Sequence, residues 1–384
     1  MPSGDLLGGA QVQYRYLIEG LRGSRYEPVV ALPSDGPLRE TLARAGVHAA
    51  VSTYPTWNRG EILRWGHRLW PERRRAAERL VALARTHAPS VVHGDASVAP
   101  YLAAIAQALR IPCVVHVRGR VRQSWVHRFA GHASRVIAIG EPYGDWLAQS
   151  GVSRSRINVV PDATDLDCFR PSRTSVLREQ YAPIDGDDVL IGIAGRIEPF
   201  KQQVQFLRAA ARVIGAGRRA HFVVIGGRNT NRPLYYHRVR SWPARHGIAS
   251  RVTFTGARDD MEHVMPSLDV LVTLSGGSVM LEAMACAVPV ISASPRDPAT
   301  LRMVRDGEGG RVVPAHDLEA LVRAMIQLCD DALARKRLGA SGRRRVEALF
   351  GRDHMVQATK RVYDAVVRDP SRVRGPGSEV LRDP

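Results

Sequence analysis

The chain has 384 residues, is 45% hydrophobic and carries a formal net charge of +18 at pH 7. That length accommodates two domains with full cores, while no run approaches the roughly 20 apolar residues of a membrane span. The cysteines Cys113, Cys168, Cys286 and Cys329 are too scattered for a zinc motif or a disulfide framework, and a reducing cytoplasm suits them. Residues 1–5 lack the basic-then-apolar pattern of a signal peptide. The positive balance attracts polyanions, although an arginine-rich composition accounts for it equally well. Arginine is spread along the whole chain, and neither zinc-finger spacing nor an aromatic RNP-like motif occurs, so nucleic acid is not an expected partner.

In chain order, apolar runs predict strands at Val29–Leu32, Val47–Ser52, Val91–His93, Cys113–Val117 and Val136–Ile139. A second series runs through Val189–Ala194, His221–Ile225, Val252–Thr255, Val270–Leu274, Val288–Ser292 and Arg311–Val313. Helix-period segments lie between them, including Tyr14–Leu21, Tyr101–Leu109, Val204–Ile214 and Leu318–Leu328. Repeated strand–helix alternation predicts an α/β fold with parallel sheets covered on both faces. The expected organisation is an N-terminal domain over 1–170, a linker over 171–188 rich in Pro and Asp-Gly, and a C-terminal domain over 189–350. A last helix over 351–368 and a disordered tail over 369–384 complete it. One feature is out of pattern. Gly8-Gly9 arrives after only seven residues, and residues 1–7 make a poor first strand. Either the first strand lies upstream or the domain lacks it; the upstream reading is favoured, because losing a central strand exposes two neighbours.

Two loops carry the chemistry. The run ending at Ala194 leads into Gly195-Arg196-Ile197-Glu198-Pro199-Phe200-Lys201, and Lys201 is one of only three lysines. An arginine fork and a lysine point charge together suit the oxygens of a pyrophosphate. When a nucleoside diphosphate departs, negative charge grows, and fixed cations stabilise it differentially. The run ending at Leu274 leads into Ser275-Gly276-Gly277-Ser278 and a helix start, Val279 to Met284. Glycines at a helix N-terminus let backbone N–H groups approach a phosphate. Glu282, one turn in, can accept both ribose hydroxyls or serve as a helix-dipole partner.

These segments together resemble the retaining glycosyltransferases of the GT-B fold, family 4 type (glycosyl transferases group 1). The resemblance rests on Gly8-Gly9-Ala10-Gln11, on Val159 to Pro171, and on Gly195-Arg196 through Lys201. It continues through Leu281-Glu282-Ala283-Met284-Ala285 with Pro289-Val290-Ile291, and Asp306-Gly307 with Gly310 to Pro314. It implies two Rossmann-like domains facing across a cleft, the C-terminal one for a nucleotide-sugar donor and the N-terminal one for the acceptor. It implies Arg196 and Lys201 on the diphosphate, Glu282 on the ribose, and Gly8, Gly9, Gly276, Gly277 and Ser278 in the donor site. Gly9 would also lie beside the incoming acceptor. It further implies metal-independent transfer with retention, no cofactor beyond the nucleotide sugar, and a last helix returning to the N-terminal domain. His116, at a strand end, reads either as a packed histidine or as a catalytic group touching donor or acceptor. Arg118 and Arg120 read either as solvated cations or as contacts for an anionic acceptor, a glycan or a lipid-linked saccharide.

Three departures from the family pattern bear on function. Leu274 stands where a glutamate usually contacts the donor sugar; Phe200 and Gln202 stand where glutamate and glycine are common; Asp162-Ala163 replaces Asn-Gly. The first motivates an alternative reading, a non-catalytic nucleotide-sugar-binding or partner subunit. The stretch 57–80 interleaves Trp57, Trp65 and Trp70 with seven arginines. It suits either peripheral contact with the inner face of an anionic membrane by a cytoplasmic protein, or a packed helix pair with a solvated basic face.

Overall fold

A computed structural model describes residues 9–55, 69–172, 175–181, 184–229, 232–293 and 303–368. The chain divides into two compact units, one of residues 1–162 with 353–384 and one of residues 163–352.

In the first unit, β1 (Val29–Leu32) pairs in parallel with β2 (His48–Val51). A separate parallel sheet has the order β3 (Val92–Asp95), β4 (Cys113–Val117), β5 (Arg135–Ala138), β6 (Ile157–Val159). All five residues of β4 are buried, which is why its sequence is a continuous apolar run broken only by His116. Strand β6 was not foreseen, since three residues are too short to show alternation. Among the described residues no strand joins the two sheets, and β1 and β3 border one cavity of about 570 Å³. Residues 1–8, where a poor first strand was noted, lie outside the described residues, as does the tail from 369. The helix Arg352–Val367 belongs to this unit: Val356 abuts Gly20, and the Tyr363 hydroxyl lies 2.6 Å from His93 Nδ1.

The second unit holds a seven-stranded sheet: β7 (Val189–Ala194), β8 (Ala220–Ile225), β9 (Val252–Gly256), β10 (Val270–Thr273), β11 (Val290–Ser292), β12 (Arg305–Asp306) and β13 (Gly309–Val312). Its order is β12-β13-β11-β10-β7-β8-β9. Strands β7, β8, β10 and β11 are buried at every position. Side chains alternate between faces. Ile191, Ile193, Phe222 and Val272 join Phe206 and Met325 in one core; Leu190, Val223 and Leu271 join Met280, Met284 and Val346 in another. Strand β11 starts later than the apolar run at Val288, because Ala287 turns at φ 57° and Pro289 has no N–H to give to a ladder. The segment expected as a linker carries a helix, Val176–Gln180, whose fully buried Leu177 belongs to the second core. Among the described residues no helix is long and apolar enough to cross a membrane.

The helix Ala332–Leu349 approaches the turn before β11 closely at Gly339, where an added Cβ would lie 1.9 Å from the Ala287 carbonyl oxygen. Gly215, last residue of the helix Gln203–Gly215, has nothing within 4 Å of such an atom. Gly339→Ala is expected to lower stability by about 1–3 kcal/mol or more, since backbone must shift, whereas Gly215→Ala is expected to be neutral or to stabilise by up to about 1 kcal/mol. Urea unfolding followed by circular dichroism compares them, and equal midpoints would remove the close-packing account.

Candidate functional site

From β7 the chain proceeds to β8 and β9 on one side, then returns so that β10 lies on β7's other side. Strand order therefore reverses between β7 and β10. Loops leaving their carboxyl ends part at such a point and open a crevice for ligands. The loop after β7 carries Gly195 to Lys201, and the loop after β10 carries Leu274 to Ser278. The two signals found separately in the sequence thus emerge side by side.

Two side-chain hydrogen bonds fix this arrangement. Gln202 Nε2 donates to the Leu274 carbonyl at 2.6 Å, and Gln203 Nε2 donates to the Arg196 carbonyl at 2.9 Å. Gln202 sits at φ 59°, in the left-handed region that glycine enters most readily. Here the glutamine accepts that backbone and uses its amide to tie the loops together. Across from it, Gly276 and Gly277 have φ of 69° and 111°, conformations that strain any side chain. Lys201 Nζ lies 3.9 Å from where a Cβ on Gly277 would sit. A lysine and a glycine loop are therefore within one ligand's reach. Ser278 takes the N-cap position of the helix Val279–Ala285, and Glu282 is half-buried in its first turn.

The two cations differ in surroundings. Burial lowers the Lys201 pKa from the ordinary lysine value; Glu198 pulls it back up and Arg196 adds to the lowering. Arg196 is 60% exposed at its side chain and lies 3.6 Å from Glu198. Two unit charges 4 Å apart interact by about 1 kcal/mol in water but about 4 kcal/mol at an effective dielectric of 20. The half-buried lysine is thus the stronger electrostatic partner for a phosphate, and Arg196 the more solvent-screened one. Leu274, where a sugar-contacting glutamate was noted as usual, is 4% exposed and packs in the core with Val272 and Phe206. Its side chain serves packing.

In the first unit Gly9 begins the helix Gly9–Leu21 and is exposed, while Gly8 lies outside the described residues. His116 is 2% exposed and stacks on His93 with ring centroids 5.5 Å apart. Burial lowers the His93 pKa to about 3, helped by Arg118, and holds His116 well below its ordinary value, helped by Arg118 and His93. Both rings are neutral near pH 7. Neither His116 nitrogen has a hydrogen-bond partner among the described residues. Arg118 forms an ion pair with Asp162 and lies over the Tyr14 ring, 5.0 Å from its centroid. Burial opposes its charge, and Asp162 and Tyr14 more than offset that. Its charge is therefore already matched inside the unit, by the aspartate that replaces the usual asparagine. Arg120 is exposed. Sequence reasoning missed Tyr14, His93 and Asp162, whose meeting requires three segments to converge; the only local signal was the Asp162-Ala163 departure. Of the Trp/Arg stretch, residues 57–68 lie outside the described residues; Trp70 is exposed and Arg73 is buried beside it.

Comparison with known proteins bears on both units. The family model "Glycosyltransferase Family 4" matches residues 7–168, and "Glycosyl transferases group 1" matches residues 188–331. The chain is 33% identical over 253 residues to a D-inositol 3-phosphate glycosyltransferase 2 of Catenulispora acidiphila, covering 62% of this chain and 57% of that protein. It is 34% identical over 194 residues to a D-inositol 3-phosphate glycosyltransferase of Acidothermus cellulolyticus, covering 48% of this chain and 42% of that one. The chain thus spans about half the length of these curated relatives. Among solved structures it is similar to Anabaena HepE in complex with UDP and glucose, at a TM-score of 0.78 and 19% identity, over 94% of this chain and 98% of that one. It also matches a sucrose-phosphate synthase from Thermosynechococcus elongatus, at a TM-score of 0.68 and 20% identity, over 91% of this chain and 98% of that one. With a family model on each half and a parallel α/β fold shared nearly end to end, the chain belongs to the group 1 and family 4 glycosyltransferases of the GT-B fold.

Proposed function

We propose that this protein moves a sugar from a nucleoside-diphosphate donor to an acceptor hydroxyl, with retention of configuration and without a metal. The observation that carries the reading is the place of Lys201, half-buried at the strand-order reversal beside the Gly276-Gly277 loop. A diphosphate there accepts from backbone N–H groups and meets a cation whose field is little screened. As the sugar–oxygen bond breaks, charge accumulates on the departing phosphate, and Lys201 and Arg196 stabilise that state more than the ground state. Glu282 takes the ribose hydroxyls. Attack from the face of the leaving group needs no protein nucleophile, which suits a site whose strongest groups are cations.

On the acceptor side, Arg120 is the exposed cation available to an anionic acceptor, and neutral His116 is the group to test for contact with the reacting sugar. D-inositol 3-phosphate, named for the relatives, is the acceptor to try first. The second reading, a nucleotide-sugar binder without turnover, is favoured by the packed Leu274 alone. A panel of nucleotide sugars, scored for both binding and release of free nucleotide, separates the two: binding with no release for any donor and acceptor pair supports the second.

Lys201→Ala is expected to reduce kcat/KM by at least about 100-fold while the melting temperature stays near that of the wild type. Near-normal turnover would remove the lysine from the mechanism. A second expectation concerns pH. Because the Lys201 pKa is lowered, its charge is lost on the alkaline side before that of an ordinary lysine. UDP affinity should therefore weaken as pH rises toward the usual lysine range, and calorimetry should find this limb missing from the Lys201→Ala variant. An unchanged alkaline limb in that variant assigns the titration to another group.

A further inference from the structure

Between Glu198 and Asp259 the sequence contains no Asp or Glu but twelve Lys and Arg residues. The fold neutralises five of them with carboxylates from elsewhere. Arg212 meets Glu319, Arg218 meets Asp330, Arg219 meets Asp185 and Asp187, Arg251 meets Asp188, and Arg258 meets Asp260. The arginines of one helix are treated differently. In Pro233–Arg245, and at Arg232 just before it, no arginine has a carboxylate partner among the described residues. This helix buries Val239 and Pro243 on its inner side. Leu234, Arg238, Ser241 and Arg245 follow at helical spacing, with His237 beside them, and form a stripe on the outer side. Arg232, His237, Arg238 and Arg245 are exposed, and Leu234 is 84% exposed, the highest value among the large apolar side chains exposed in the described chain.

An unmatched row of guanidinium groups calls for a polyanion. The leucine narrows the choice. A nucleic-acid backbone gains nothing from an exposed aliphatic side chain at the head of the row, whereas a bilayer takes it into the acyl boundary while phosphates meet the cations beside it. We infer that the outer stripe of the helix Pro233–Arg245 docks this protein on an anionic lipid bilayer, with Leu234 inserted and Arg232, Arg238 and Arg245 among the headgroup phosphates. This surface lies apart from the donor-site loops in sequence, and the inference stands independently of the transfer reaction.

Co-sedimentation of the full chain with phosphatidylcholine vesicles, with and without phosphatidylglycerol, tests it. Binding is expected only to the anionic vesicles and is expected to fall with salt. The pair Arg238→Glu with Arg245→Glu should weaken it by at least about 30-fold, and Leu234→Asp should weaken it at constant cation count. The pair Arg208→Glu with Arg323→Glu changes net charge equally on exposed positions of two other helices and should leave most of the binding intact. Melting temperature and UDP affinity, both expected to be unchanged, establish that the variants are folded. Equal losses from both charge-reversal pairs would overturn the inference in favour of non-specific attraction, and so would insensitivity to Leu234→Asp. Binding to duplex RNA that exceeds binding to the vesicles and is lost in the Arg238/Arg245 pair would reassign the stripe to nucleic acid.

Discussion

The reversal of strand order between β7 and β10 is the constraint from which the candidate site follows. Parallel strands end on the same edge of the sheet, and a reversal obliges their following loops to diverge. Both strands are wholly buried and paired to each other, Val270 with Ile191 and Val272 with Ile193. The loops therefore begin at fixed positions a single strand spacing apart. That pairing and the Gln202 bond to Leu274 hold the backbone at Lys201 near the Gly276-Gly277 loop. On the proposed reading, the sheet supplies preorganisation by fixing where the lysine side chain starts.

The two units handle charge in opposite ways. In the first, Arg118 is enclosed with Asp162 and Tyr14, and two histidines are kept neutral by burial, so the interior is electrically matched. In the second, Lys201 is half-buried with Glu198 nearby and Arg196 at its flank, an arrangement with positive charge in excess. Desolvating a cation without a full counter-charge costs stability, and an anion bound beside it would offset that cost. The excess of charge sets this loop apart from a structural ion pair such as Arg118–Asp162.

Much of this was legible in the sequence, for physical reasons that differ by feature. The strands β4, β7 and β8 are buried on both faces, so their sequences are nearly unbroken apolar runs. Strand β6 has three residues and β12 two, and neither length can display a period. Arg196, Lys201, Gly276, Gly277 and Glu282 were visible because each stands in a local pattern at the end of such a run. The tie made by Gln202 was not visible; the sequence shows a departure from glycine, and only the left-handed backbone and the carbonyl opposite explain how it is tolerated. The Arg118–Asp162 pair joins residues 44 positions apart, a separation at which one sequence gives no hint of contact. The helix within 171–188 was hidden by its prolines and Asp-Gly, which read as loop, although Leu177 anchors it in the core.

A net charge of +18 says little until the fold sorts it. Some arginines fix strand ends: Arg251 meets the buried Asp188, while Arg178 donates to the Asp188 carbonyl at 2.7 Å. Others span helices, as Arg212 does to Glu319. A paired surface arginine contributes on the order of 0–1 kcal/mol and attracts little at a distance. An unpaired one contributes its full charge to the field outside. Exposed arginines without a carboxylate partner among the described residues also occur singly on other helices, as Arg208 and Arg323 do. The helix Pro233–Arg245 differs in gathering them on one stripe beside Leu234. The carboxylates that reach the acid-free stretch come from residues 185–188, 260, 319 and 330, and none of them meets that stripe, so its charge faces outward as a group.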